Sequence, residues 1–168
     1  VSWHQPGLET SVHFAPLDDL ESHVLDQLAG AKSQVRIAFF NVRLPEVKSL
    51  LVQHVNDGLD VHVILDKKQQ DLPYNTMGEQ LVAAGVPVTL VENTAATDAT
   101  MHQKFTVIDG EVVMMGSANY SYTALNVSDE DLVTIQSMSG LYKRSPILAA
   151  TLLVLTGCAP AGPEFLPV

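Results

Sequence analysis

The sequence predicts an α/β protein with a mixed, largely parallel β-sheet flanked by helices. Short apolar runs typical of strands alternate with segments of helical periodicity from residue 12 to residue 91. Such alternation is typical of parallel strands joined by crossover helices. An Asp109-Gly110 pair between two later apolar runs predicts a tight hairpin, which adds antiparallel strands after the alternating part.

The individual elements follow from local pattern. The first helix has apolar residues at helical spacing, an aspartate able to cap its start (Asp18 or Asp19), and Gly30 at its end. The next two helices end before Gly58 and Gly85 in the same way. We predict helices at 17–28, 45–56 and 77–84, at most a short helix at 121–126, and strands at 12–16, 35–40, 61–65, 86–91, 104–108, 111–115 and 131–135.

Composition indicates one folded domain. The chain has 168 residues, of which 46% are hydrophobic and 17% charged, values typical of globular proteins. Its single cysteine, Cys158, excludes an intrachain disulfide and a cysteine-based zinc cluster. The net charge of −10 weighs against a nucleic-acid substrate, because polyanion-binding proteins usually carry a basic face. A polyanion would need a local basic site or a partner chain.

The domain is expected to span residues 1–136, with its core at 12–136. Residues 137–158 have two interpretations. The apolar run 146–155 suits a terminal helix that packs on the sheet. Residues 138–158 also look like a bacterial lipoprotein signal, with Met138, a basic pair, a short apolar run and a lipobox-like end at 155–158. That run is too short to span a bilayer. Residues 159–168 are expected to form a disordered tail.

One cluster of residues has the composition of a phosphate site. His102, Lys104, Asp109, Gly116-Ser117 and Asn119 have the spacing H-x-K-x4-D-x6-G-S-x-N. Residues two apart on a strand share a face, so His102 and Lys104 should lie side by side. The hairpin should then return Ser117 and Asn119 to the same place. A nucleophile, a cation, a hydroxyl and an amide would converge there, which suits a phosphate group.

This pattern resembles the HKD motif of the phospholipase D superfamily and is similar to that of its small bacterial endonuclease-type members. The resemblance implies a phospholipase D-like α-β-α sandwich and a phosphodiesterase that uses a phosphohistidine intermediate. His102 would attack phosphorus, and a second group would protonate the leaving oxygen and then activate water. Lys104 and Asn119 would bind the non-bridging oxygens of the substrate. The scheme requires no metal and no cofactor.

The remaining motif residues have more than one interpretation. In the family a downstream carboxylate orients the histidine, and Glu130 fits that role by position, although it could also be a surface carboxylate. Ser117 could act in the site or serve a turn. Asp109 should stabilise the hairpin turn, because it lies at the far end of the strand from His102. Gly116 is part of the motif. Lys67 and Lys68 could form a basic patch or a polar loop.

The mechanism needs two histidines, and the sequence contains one motif. Small single-motif nucleases of the family form a homodimer with the active site on the two-fold axis, whereas longer members carry two motif-bearing halves in one chain. We therefore expect a homodimeric nuclease that cleaves DNA or RNA. The alternative is a phospholipase D or a cardiolipin-synthase-like phosphatidyl transferase, with a second half missing upstream. The intact motif argues against a purely binding module. Bacterial members of this type are often exported, so we expect an exported or periplasmic protein, with the cytoplasm as the alternative.

Overall fold

The computed structural model describes residues 8–137 as a seven-stranded sheet with five helices. The strands are β1 (Leu8–Ala15), β2 (Gln34–Phe39), β3 (Asp60–Asp66), β4 (Val88–Val91), β5 (Lys104–Ile108), β6 (Val112–Gly116) and β7 (Glu130–Ser137). The helices are α1 (Leu20–Ala29), α2 (Pro45–Asn56), α3 (Lys67–Gln70), α4 (Met77–Ala83) and α5 (Tyr122–Asn126). The mixed α/β class with flanking helices is confirmed. The two interpretations of residues 138–158, and the predicted tail, lie outside the described residues.

The strand order is β1-β7-β6-β5-β2-β3-β4. Parallel pairing joins β2 to β3 and β3 to β4, whereas the other four neighbouring pairs are antiparallel. The prediction of a largely parallel sheet was therefore wrong. The reason is that β1 does not join the strand that follows it. It pairs instead with β7, and the β5-β6 hairpin lies between β7 and β2.

The main core lies on one face of the sheet. Helix α1 begins after Asp19, whose carboxylate accepts a hydrogen bond from the Ser22 backbone N–H, and it buries Leu20, Val24 and Leu28 completely. The four longer helices α1, α2, α4 and α5 all contribute to this core, together with alternate residues of the strands. Burial of this apolar surface is the main force that holds the helices on the sheet. No helix among the described residues is long and apolar enough to cross a membrane.

The opposite face of the sheet has a different character. Val12, Val133, Met115 and Phe105 lie opposite one another on four adjacent strands, in one apolar row. Val12 is 50% exposed and Met115 is 38% exposed. Farther along this face, Ala38 and Ile64 form a small core cluster with Met101. An apolar strip that remains open to solvent is a candidate contact surface.

Helix α3 was not predicted, because its four residues are too few to show helical periodicity. Asp66 caps it by accepting a hydrogen bond from the Gln69 backbone N–H. Lys67 forms an ion pair with Asp71. Lys68 donates to the backbone carbonyls of Thr97 and Ala99, so it fixes the long loop that precedes the motif.

The β5-β6 turn depends on Asp109. Its φ of 55° is in the left-handed region, and its carboxylate accepts hydrogen bonds from the backbone N–H groups of Lys32, Ser33 and Gln34 and from the Ser33 hydroxyl, at 2.8–2.9 Å. Burial raises the pKa of this carboxyl, but the four hydrogen bonds outweigh burial, so the pKa lies below its ordinary value. Asp109 thus joins the hairpin to the start of β2, away from His102.

Asp109→Asn should destabilise the fold by about 1–3 kcal/mol at pH 7, because asparagine tolerates the left-handed turn but removes the charged acceptor. A carboxyl with a lowered folded-state pKa stabilises the protein above its unfolded-state pKa, and this stability is lost as pH falls through the folded-state value. Denaturant unfolding at pH 7 and at pH 3 measures the difference. The exposed Asp57 gives a control, Asp57→Asn. An equal loss in both variants, or a loss that does not shrink at pH 3, would contradict this role.

Candidate active site

The motif residues meet at one end of the central strands β5 and β6. Strand β5 begins there at Lys104, which lies opposite Phe39 at the end of β2. Strand β6 ends there at Gly116, which lies opposite Leu132 near the start of β7. Because β5 runs antiparallel to both neighbours, the segments just outside these strand ends are brought together. His102, Ser117 and Glu130 therefore lie around Lys104 at this end of the strands.

His102 and Lys104 are in direct contact. His102 lies in the short segment before β5 and its side chain is exposed, whereas Lys104 is the first residue of the strand. The Lys104 Nζ atom is 3.2 Å from His102 Nδ1 and 3.3 Å from Nε2. These nearly equal distances show that the ammonium faces the imidazole as a whole. A phosphate bound at His102 would therefore meet a positive charge at contact distance.

Lys104 is largely shielded from solvent, since only 9% of the residue is exposed. Burial lowers the pKa of the Lys104 ammonium below its ordinary value, and the nearby Glu130 carboxylate partly opposes this effect. A cation in surroundings that exclude water interacts more strongly with an anion than a solvated one does. Lys104 is thus suited to stabilise negative charge on a phosphoryl group.

Two residues that the motif does not include hold His102 in place. The ring of Phe40 packs against the His102 imidazole with 4.6 Å between centroids, and the Phe40 backbone N–H donates to the Gln103 carbonyl at 2.8 Å. On the other side of His102, the fully buried Asp66 carboxylate accepts the Met101 backbone N–H at 2.7 Å. The backbone is therefore fixed both before and after the histidine. The sequence analysis did not single out Asp66, because a bond between residues this far apart in the chain leaves no local pattern.

Ser117 and Glu130 form a pair. The Ser117 hydroxyl donates to the Glu130 carboxylate and accepts the Asp131 backbone N–H at 3.0 Å. The sequence analysis assigned Glu130 to the orientation of His102. Within one chain the structure instead joins this carboxylate to Ser117. A Cβ atom at Gly116 would lie 2.1 Å from the Asp131 carbonyl oxygen, so glycine is required for β6 and β7 to approach here.

Asn119 is positioned by its neighbour Tyr120. The Tyr120 ring is fully buried and stacks on Phe39 at 4.0 Å, and its hydroxyl pairs with that of Thr106 at 2.7 Å. These contacts fix the segment after β6 beside the ends of β2 and β5. The Asn119 side-chain oxygen is buried and has no hydrogen-bond partner within residues 8–137. This oxygen is an unsatisfied acceptor, and no hydrogen bond joins Asn119 to His102 or Lys104 among the described residues.

A cavity of about 530 Å³ opens beside His102 and Lys104. Most of its wall is apolar and comes from the open face of the sheet. It is lined by His102, Gln103, Lys104, Phe105, Val107, Val113, Met115, Gly116, Asp131 and Val133. A volume of this size can hold part of an organic ligand next to the histidine.

The other described histidines serve the fold. His54 is buried and bonds to the Leu28 carbonyl, and His62 bonds to the Thr89 hydroxyl. His13 and His23 pack against each other in a tilted arrangement with 4.1 Å between ring centroids, and His23 bonds to the Thr134 hydroxyl. None of them contacts His102 among residues 8–137. In the same part of the chain, no group of three or more His, Cys, Asp or Glu side chains is arranged to hold a metal ion.

The fold and the site define a class, that of the phospholipase D-like proteins. Residues 24–144 match the family model described as cardiolipin synthase, PLD-like domain, and the chain belongs to that family. It is 32% identical over 129 residues to the mitochondrial cardiolipin hydrolase of Xenopus laevis and 26% identical over 114 residues to that of Chlamydomonas reinhardtii. These matches cover 76% and 68% of this chain, but only 59% and 49% of the relatives.

A solved structure shows the same fold. The phospholipase D family member Nuc from Salmonella typhimurium superposes with a TM-score of 0.77 at 20% identity, and the match covers 89% of this chain and 95% of that one. At this identity the likeness concerns the fold alone. Family membership supports a phosphodiester hydrolase or transferase in general, whereas the substrate has to be argued from this chain's own residues.

Proposed function

We propose that this protein is a phosphodiesterase that forms a covalent phosphohistidine on His102. The contact of the exposed imidazole with the Lys104 ammonium, 3.2 Å from Nδ1, is the observation that carries the proposal. In the first step a neutral imidazole nitrogen forms a bond to phosphorus while the bond to the leaving oxygen breaks, and a second imidazolium protonates that oxygen. In the second step this imidazole takes a proton from water, which attacks phosphorus and releases His102.

The second imidazole comes, in this proposal, from another copy of the chain. No other histidine contacts His102 among residues 8–137, and the mechanism needs a proton donor on the opposite side of the phosphorus. A two-fold axis beside the motif would place the partner's His102 in that position. The exposure of His102 supports this arrangement, since a site shared by two copies must be open in one of them.

The substrate that the site supports best is a phospholipid phosphodiester. The apolar wall of the cavity begins next to Lys104 with Phe105 and continues to Met115, so it suits an acyl chain attached to the scissile phosphate. The net charge of −10 imposes no comparable penalty on a substrate that is held largely by apolar contact. Two curated relatives have the name cardiolipin hydrolase, which supports the same choice.

Nucleic acid is the second candidate. The sequence carries one motif, and that motif is similar to that of the small endonuclease-type members of the family. DNA or RNA would have to approach an acidic protein, which costs electrostatic free energy at low salt. Both substrates can be tested by the same chemistry.

The test measures hydrolysis of bis(p-nitrophenyl) phosphate, of cardiolipin in mixed micelles, and of single-stranded DNA, all in excess EDTA. The proposal expects turnover of the first compound that is lost in His102→Ala. Absence of any His102-dependent hydrolysis of the three substrates would refute the proposed function. Faster turnover of DNA than of cardiolipin would move the assignment to the second candidate.

The variant Met115→Lys separates the two substrates further. A charge on the apolar wall should reduce cardiolipin turnover by about tenfold, because burial of an apolar side chain against a ligand contributes about 1.5–3 kcal/mol. The same charge should not reduce turnover of DNA. Leu90→Lys is the matched control, since Leu90 is also exposed, at 46%, but lies on the edge strand β4. Equal effects of the two variants on cardiolipin would contradict the apolar-wall assignment.

A further inference from the structure

One exposed cation at the active-site end of the sheet has no acidic partner among residues 8–137. Most cations of residues 8–137 contact a polar group of the fold; these are Arg36, Lys48, Lys67, Lys68 and Lys104. Within the same residues, the side chain of Arg43 contacts only the ring of Tyr74, with its guanidinium carbon 4.9 Å from the ring centroid. In this part of the chain the Lys32 ammonium also has no partner, but Lys32 lies beside Asp109 at the far end of the sheet.

Backbone contacts place Arg43 beside the segment that carries Asn119 and Tyr120. The backbone N–H groups of Arg43 and Leu44 both donate to the Tyr120 carbonyl, at 2.7 Å and 3.0 Å. Val42 pairs with Tyr120 in an isolated bridge, and Tyr120 directly follows Asn119. Phe40, three residues before Arg43, packs on His102. Arg43 therefore belongs to the same strand-end cluster as the motif.

Tyr74 presents the guanidinium without neutralising it. Tyr74 is 68% exposed, and Arg43 is exposed as well. An aromatic face stabilises a cation beside it and restricts its motion, yet it uses none of the five N–H donors of the guanidinium. These donors form a fork that matches two oxygens of a phosphate. In a protein with ten more acidic than basic side chains, an unpaired arginine at this position is preorganised for an anionic ligand.

We propose that Arg43 binds a second phosphate of the substrate, next to the phosphodiester that His102 attacks. The inference rests on the proposed function. Two kinds of substrate carry a second phosphodiester anion next to the scissile one. A diphosphatidyl lipid carries two phosphates on one glycerol, and a nucleic-acid strand carries a phosphate at every step. Arg43 would thus favour substrates with more than one phosphate over those with one.

Binding measurements test this without turnover, in the His102→Ala background. The lipid arm compares short-chain cardiolipin, with two phosphates, with short-chain phosphatidylglycerol, with one. The nucleotide arm compares a thymidine trinucleotide, with two phosphodiesters, with a dinucleotide, with one. In the arm that binds, Arg43→Met should raise the Kd of the two-phosphate ligand by about tenfold and that of the one-phosphate ligand by less than about twofold. The difference should shrink at high salt.

Lys32→Met is the matched control, because it removes the same charge at the opposite end of the sheet, and it should leave both Kd values unchanged. Tyr74→Phe should bind as the parent does, and Tyr74→Leu should weaken the two-phosphate ligand in part. Equal weakening of both ligands by Arg43→Met, no weakening, no binding in either arm, or the same effect from Lys32→Met would overturn the inference. Absence of His102-dependent hydrolysis by the native chain is a separate result. It would refute the proposed function, whereas the binding measurements concern the Arg43 site.

Discussion

His102→Ala should reduce phosphodiester hydrolysis by at least about a thousandfold and leave the fold intact. The substitution removes the atom that forms the bond to phosphorus, and loss of a nucleophile is among the largest single effects in enzymes. The His102 side chain is exposed and contributes nothing to the main core, so unfolding by denaturant should be nearly unchanged. Rates with bis(p-nitrophenyl) phosphate measure the first quantity.

The matched control is His62→Asn. His62 lies near the start of β3 and bonds to Thr89, whereas the site lies at the opposite end of that strand. This variant should keep the native rate. Native-like turnover by His102→Ala would remove the phosphohistidine mechanism altogether.

A mixing experiment with the same variant tests the shared site. If each site needs His102 from both copies, equal amounts of native and His102→Ala chains that are unfolded and refolded together should retain about a quarter of the native activity, since only that fraction of dimers carries two histidines. Chains that act alone would retain about half. Sedimentation of the refolded mixture establishes its mass. Half activity, or a monomeric mass with full activity, would argue against the homodimer.

The bounds of helices and strands depend on neighbouring residues, so they could be predicted from the sequence. The order in which the strands pair depends on distant residues, so it could not. Periodicity and caps gave α2 with the bounds found in the structure, since Pro45 begins it and its apolar face repeats at helical spacing. No local signal indicates that Ala15 lies opposite Glu130. That pairing makes β1 an antiparallel edge strand. It depends on tertiary contacts between segments more than a hundred residues apart.

In the site, too, the local contacts were predictable and the long-range contacts were not. The spacing of the motif predicted that His102 and Lys104 would meet, because their relation is set by two residues of backbone. The partner of Glu130 was not predictable, since Ser117 directly follows another strand, β6, and reaches this carboxylate only through the pairing of β6 with β7. The bond of Asp66 to the Met101 backbone is of the same kind. Long-range polar contacts leave no periodic pattern in a sequence, so their identification requires the folded structure.

Lys104→Met should lower kcat by about a hundredfold to a thousandfold, with a smaller effect on KM. Methionine keeps an unbranched apolar side chain in this buried position and removes the ammonium that lies 3.2 Å from His102. Removal of one preorganised group that stabilises transition-state charge costs about this much in well-studied enzymes. Lys48→Met is the matched control, because Lys48 donates to Gln80 on the helical side and should have no effect on the rate.

The pH dependence of the rate provides a second measure of Lys104. Burial lowers the pKa of this ammonium, so the native rate should fall with rising pH before the ordinary lysine value of about 10.4 is reached. The direction follows from charge, since deprotonation removes the cation that the phosphoryl group needs. Lys104→Met should lack this alkaline fall, and Glu130→Gln should move it to lower pH, because the carboxylate that opposes the effect of burial is gone. A native profile that stays flat through the lysine range would show that the charge of Lys104 is not used in catalysis.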